Sequence, residues 1–225
     1  VASFSALAGD GAVADCDVDA ANLHLVLNPV VVRRAPFYGG STALIDADRC
    51  TGCGECVDLC RFDAIQPRVE SAWRTTYHVS DLSCEGCGVC VDRCPEGAAA
   101  LVRSEAGEWF VSDTAHGPMV HARLGIAGEN SGKLVSLVRR EAKAVALSKH
   151  RGTLTCDGSP GIGCPVIASV AGARMALIVT EPTLSGLHDL MRVAELCRQF
   201  RLKTGVCVNK ADLNPELTGR IEAEA

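Results

Sequence analysis

Short apolar runs alternate along the chain with longer stretches in which apolar residues recur every three or four positions, and glycines, prolines and acidic residues mark the changes of period. Residues 1–8 read as helix, Gly9, Asp10 and Gly11 as a turn, and residues 12–16 as a strand that runs out at Asp15, Cys16 and Asp17. Helical periodicity returns at about 132–148, followed by a weak strand at 153–156 that leads into Asp157. Beyond a glycine- and proline-rich turn, the pattern predicts a helix at 165–170, a strand at 174–180, a helix at 185–200 and a strand at 205–208 ending at Asn209 and Lys210. Strands alternating with helices predict an α/β class built on a parallel sheet.

Between about residues 41 and 104 the alternation breaks down, and eight of the thirteen cysteines fall there in two copies of one spacing. Cys50, Cys53, Cys56 and Cys60 form the first run; Cys84, Cys87, Cys90 and Cys94 form the second. Pro95 follows Cys94, whereas Arg61 follows Cys60. Three thiolates two residues apart wrap three corners of an iron–sulfur cubane, and in two-cluster bacterial ferredoxins the fourth cysteine of each run completes the other run's cluster. The expected [4Fe-4S] ligand sets are therefore Cys50, Cys53, Cys56 and Cys94 for one cluster, and Cys84, Cys87, Cys90 and Cys60 for the other. Zinc sites and disulfide frameworks also use close cysteine pairs, but zinc knuckles leave a longer gap before the next pair. The repeat extends to Gly52 and Gly86, Gly54 and Gly88, Val57 and Val91, and Asp58 and Asp92. Glycines there let backbone amides approach the sulfurs, and such hydrogen bonds set the potential.

Composition narrows the partners. With 48% hydrophobic and 22% charged residues, the chain has the makings of a well-cored globular protein. Residues 41–104 hold ten acids and six arginines, an acidic face that argues against nucleic acid, as does the 4% aromatic content. No apolar run approaches the roughly 20 residues of a membrane span, and the opening residues lack the basic segment of a signal peptide. Cys16, Cys156, Cys164, Cys197 and Cys207 show no disulfide pattern, which with low-potential clusters points to a reducing, cytoplasmic setting.

Asp17, Asp157 and Asn209 each follow the end of an expected strand, and a parallel sheet puts such ends on one edge, where open α/β proteins bind ligands. Several runs deepen this picture: ADCDVDAANLH from Ala14, FYGG from Phe37, HARLG from His121, ENSGKLV from Glu129, DGSPGIGCPV from Asp157, EPTLSGLHDL from Glu181 and NKADLNPELT from Asn209. With them the chain resembles the MinD/ParA-like P-loop ATPases that carry an inserted two-cluster ferredoxin domain, relatives of Mrp proteins and the nitrogenase iron protein. The resemblance implies a P-loop ATPase-like α/β domain at 1–40 and 105–225, interrupted by an α+β ferredoxin-like module at 41–104. It further implies that Asp17 orients the attacking water, that Asp157 holds the Mg²⁺ hydration shell, that Asn209 contacts adenine, and that Asp15 and Gly161 belong to the nucleotide site.

Two departures stand out. Ser159 occupies a position where that family usually has proline, and no lysine precedes Lys133. Gly132 and Lys133 are followed by Leu134 and preceded five positions earlier by Ala127, so they fail the phosphate-loop pattern on both sides. The expectation is a fragment lacking its phosphate loop and its far end, which holds clusters but does not hydrolyse ATP. Cys164 lies where the nitrogenase iron protein has a cluster cysteine, but no second loop matches, and it reads as a core thiol. Cys156, Cys197 and Cys207 read as core too. For the full-length protein the expectation is electron transfer gated by ATP, with a redox protein as partner and a homodimer or paired homologue as assembly. The alternatives are a cluster-assembly ATPase that serves a cluster-accepting protein, and a ferredoxin module on a scaffold that binds no nucleotide.

Overall fold

The computed structural model describes residues 1–125 and 131–224. Glu129 and Asn130 of the ENSGKLV run, and Ala127, lie outside the described residues. The chain divides into two compact units: Val1–Arg34, Trp109–Arg123 and the chain from Ser131 form the first, and Ala35–Glu108 with Leu124 and Gly125 forms the second. No helix among the described residues is long and apolar enough to cross a membrane.

In chain order the elements begin with α1 (Ala2–Ala8), β1 (Gly11–Asp15), α2 (Leu23–Leu27) and β2 (Val30–Ile45). Next come α3 (Glu55–Leu59), β3 (Ile65–Ser71), β4 (Arg74–Val79), α4 (Val89–Asp92), β5 (Ala99–Thr114) and β6 (Gly117–Leu124). The chain continues through α5 (Ser131–Ser148), β7 (Thr153–Asp157), α6 (Cys164–Val170), β8 (Met175–Thr180), α7 (Leu184–Gln199) and β9 (Lys203–Val208). A 3₁₀ turn (Ala211–Leu213) and α8 (Pro215–Glu224) complete it. The result is a mixed α/β protein with a largely parallel central sheet.

That sheet has five strands in the order β2-β5-β6-β1-β7. β1 is buried along its whole length because it has parallel neighbours on both sides, β6 and β7, and its apolar run GAVAD suits such a position. β7 closes the described order and is only partly buried, which accounts for its more polar sequence. Over the sheet, α5 packs on β1 and α6 and buries Leu134, Val135, Val138, Ala142 and Ala146, the single stripe a helical period produces. β8 and β9 form a separate parallel pair rather than extending the five-stranded sheet. Against this pair Leu187 and Leu190 of α7 meet Leu217 and Ile221 of α8, with Ile178, Val206 and Val208 packed alongside. The Thr183 hydroxyl caps α7 by accepting from the Gly186 amide at 2.9 Å. A side chain at Gly186 would meet Glu181 O at 2.4 Å.

In the second unit β3 and β4 form an antiparallel hairpin, and the short helices α3 and α4 pack on each other. Each is entered through a left-handed glycine, Gly54 at φ 87° and Gly88 at φ 81°. β2 and β5, 16 residues each, run from one unit into the other.

Candidate functional site

The two cysteine runs enter the second unit through matched turns. Directly after the second cysteine of each CxxCxxC run a glycine adopts the left-handed conformation, the chain turns into a short helix that carries the third cysteine, and the three cysteines line one cavity. Cys50, Cys53, Cys56 and Cys94 line one cavity, with Ile45, Thr51, Tyr77 and Ala99 among its other walls. Cys60, Cys84, Cys87 and Cys90 line the other, among Ala43, Phe62, Ile65 and Val79. Each spans about 370 Å³ of space, part of it open to solvent. Among the described residues no three His, Cys, Asp or Glu side chains converge closely enough to hold a single metal ion; the cysteines stand around the walls.

The backbone is shaped to approach these sulfurs. A Cβ on Gly86 would lie 2.1 Å from Ser41 O, and one on Gly52 would lie 2.4 Å from Thr75 O. Both glycines have positive φ, so only glycine fits without strain. The Ala98 amide donates to Cys94 Sγ at 3.2 Å and the Ala43 amide to Cys84 Sγ at 3.4 Å. Burial works to raise both thiols, but these and neighbouring donors outweigh it and hold Cys94 and Cys84 below the ordinary thiol value. Cys56 moves the other way, pushed up to about 11 first by burial and then by Cys50 and Cys53. Burial also raises Cys90, helped by Cys84, Cys87 and Cys60. Thiolates that repel one another within each set, beside amides aimed at their sulfurs, fit a cationic polynuclear iron–sulfide group.

A second set of groups gathers in the first unit. Asp15 and Asp157 end neighbouring parallel strands and stand in register, and the Asp17 amide donates to Asp15 Oδ1 at 3.3 Å. Burial, then the Asp157 charge, lifts Asp15 to about 6; burial and Asp17 also raise Asp157, against the pull of the chain's amino terminus. Asp15 Oδ2 is buried with no hydrogen-bond partner, a position a hydrated cation would satisfy. The Ser159 hydroxyl donates to Cys16 O at 3.0 Å, so the residue that departs from the family pattern ties the loop after β7 to the end of β1. Gly161, in that loop at φ 89°, has open space around it.

Asn209 is exposed and follows β9, a strand of a different sheet, where its amide donates to Thr180 O at 2.7 Å. Beside it Lys210 pairs with Glu181 at 2.7 Å, joining the loops after β8 and β9. Lys133 is exposed in the first turn of α5. Of the cysteines read as core, Cys197 is buried, but Cys164 and Cys207 are exposed. Cys156 is partly buried, its thiol lowered by its hydrogen bond with Cys16 and by Arg139. Thr42 and Tyr77 carry no cysteine-like signature and were invisible as site residues; Thr42 stands in a strand the periodicity does not reveal.

Residues 43–101 match the family model described as the 4Fe-4S dicluster domain, so the chain is an iron–sulfur protein with a dicluster domain. "Uncharacterized protein MJ0578" of Methanocaldococcus jannaschii is 31% identical over 204 residues, which cover 89% of this chain and 67% of that protein. The chain belongs to the family of that archaeal protein. Among solved structures, the cell division ATPase MinD of Pyrococcus furiosus aligns at 17% identity and a TM-score of 0.37, over half of each chain, a likeness too slight to carry an argument.

Proposed function

We propose that the chain passes single electrons through two [4Fe-4S] clusters, held by Cys50, Cys53, Cys56 and Cys94 in one cavity and by Cys60, Cys84, Cys87 and Cys90 in the other. The sorting of eight cysteines into two walled sets of four is the observation that carries this reading. When bound, such clusters take up and release one electron each at low potential. The protein's own contribution is to hold them. Apolar side chains such as Ile65, Val79 and Ala99 shield the sulfurs from water, and the amides of Ala43 and Ala98 offset the negative charge that an added electron brings.

In a protein that also supplies a phosphate loop, we assign the Asp15, Asp17 and Asp157 group to Mg²⁺-ATP, with Asp157 holding the metal's water shell, Asp17 placing the attacking water, Gly161 and Asp15 near the phosphates and Asn209 towards adenine. The motif resemblance and the unpartnered Asp15 oxygen support it. Nucleotide binding then gates electron transfer by favouring one of two conformations. The direct test is anaerobic oxidation of dithionite-free, reduced protein by a high-potential acceptor, oxidised cytochrome c, where about two electrons should leave each chain, one per cluster. Protein that delivers none while retaining its iron would overturn the electron-transfer reading.

A further inference from the structure

The two cavities of the second unit are built from repeated runs, yet their mouths differ in kind. Because the fourth cysteine of each run stands in the other run's cavity, each mouth combines residues of both runs. The walls around Cys60, Cys84, Cys87 and Cys90 include Leu59, Phe62 and Val89, which are 42%, 44% and 40% exposed. At the matching positions the repeat has Arg93, Glu96 and Glu55, all exposed, with Glu96 and Glu55 in the wall of the other cavity. One mouth is therefore rimmed by apolar side chains and the other by charge. Cys87, itself exposed, lines the apolar one, so a protein seated there comes directly against a sulfur of that cavity.

We propose that the apolar mouth formed by Leu59, Phe62 and Val89 is the docking surface for a protein one-electron acceptor whose own docking face is apolar at its centre and basic at its edge. The proposal rests on the cluster reading of that cavity. Apolar side chains grouped on a surface gain by being covered, and an aromatic ring is the kind of residue that anchors an interface. The flanking charges select the partner: Asp58 precedes Leu59, Asp63 follows Phe62 and Glu85 lies in the wall, against Arg61. Two copies of this chain meeting mouth to mouth would set these acids against one another, whereas a face with basic residues at its edge complements them. In the step itself one electron leaves the reduced cluster and the acceptor gains it; no bond forms or breaks.

The test is anaerobic stopped-flow oxidation of the reduced, cluster-loaded protein by two acceptors: cytochrome c, a basic protein, and hexaamminecobalt(III), a small cation that needs no apolar contact. Second-order rate constants are compared for wild type, Phe62→Ser, Leu59→Ser, Asp63→Asn and Glu96→Gln, with iron and sulfide measured on each. Phe62→Ser should lower the cytochrome c rate constant by about tenfold, as loss of an aromatic anchor does, and leave the hexaamminecobalt rate constant in place. Asp63→Asn should lower the cytochrome c rate constant and flatten its fall with salt. Glu96→Gln should lower it less than Phe62→Ser does; an equal or larger loss would put docking at the charged mouth and overturn the proposal. So would an unchanged cytochrome c rate constant in Phe62→Ser, or an equal loss with both acceptors. Wild type that sediments as a dimer, and as a monomer after Phe62→Ser, would make a second copy the occupant and overturn it too. If Phe62→Ser loses its iron, Leu59→Ser decides, since it must lower the cytochrome c rate constant alone. Wild-type protein without iron and sulfide would overturn the cluster reading itself, whereas loaded protein indifferent to Phe62 and Leu59 would overturn only the docking surface.

Discussion

Cys94 belongs by sequence to the second run but stands in the cavity of Cys50, Cys53 and Cys56. Cys94→Ser should therefore damage the cluster of the first run; loss of the signal that Cys87→Ser also removes would show the opposite grouping. A second residue-scale expectation concerns His121, which lies 9% exposed between β5 and α2. Its Nε2 is 2.9 Å from the Ser112 hydroxyl, and its ring stacks on Phe110 at 5.0 Å and His24 at 6.5 Å. Burial, then the neighbouring His24, lowers it from 6.5 to about 4. A histidine depressed on folding contributes stability above its unfolded value, and that contribution is lost as pH falls from about 6.5 towards about 4. Its ring protons should titrate near pH 4 by nuclear magnetic resonance, and the denaturant midpoint of this unit should drop across the same window. A ring midpoint at or above 6.5 would contradict the burial argument.

At the scale of elements, helices and strands with a single clear period were legible: α1, β1, α5, β7, α6, α7 and β9 lie within a few residues of their expected spans. β2 was not, because Arg33, Arg34, Pro36, Gly39 and Gly40 interrupt its pattern and Val30, Val31 and Val32 are exposed in it. β5 hides behind the polar stretch from Ser104 to Glu108 for the same reason. These two strands frame the cysteine loops, so the ligands could be read from spacing while the donors to their sulfurs could not. Gly86 gives the sharpest element-scale test. Gly86→Ala puts a Cβ 2.1 Å from Ser41 O at φ 61° and should cost roughly 1–3 kcal/mol, seen as a lower iron content and a lower melting temperature. Gly161→Ala, with φ 89° but open surroundings, should cost less. Equal losses in the two variants would mean that the contact with β2 is not what the glycine protects.

For the molecule as a whole, the second unit is small, and a unit of that size gains much of its stability from what its cysteines bind. Cluster-free protein should be cut by protease within residues 35–108 before the first unit is touched, and loading iron and sulfide should remove that difference. Asp17 and Asp157 were legible as strand-end residues, as was Asn209, but Asn209 follows a strand of a separate sheet because β9 pairs with β8. Where a phosphate loop is supplied and Mg²⁺-ATP binds, the nucleotide should shift the cluster midpoints, and Asp157→Ala should abolish that shift with iron unchanged; clusters insensitive to bound ATP would rule out gating. All of this stands on two clusters being present. Iron and acid-labile sulfide determined on anaerobically purified protein should come to about eight of each per chain, as two cubanes require. Zinc in place of iron, or iron without sulfide, would contradict the account.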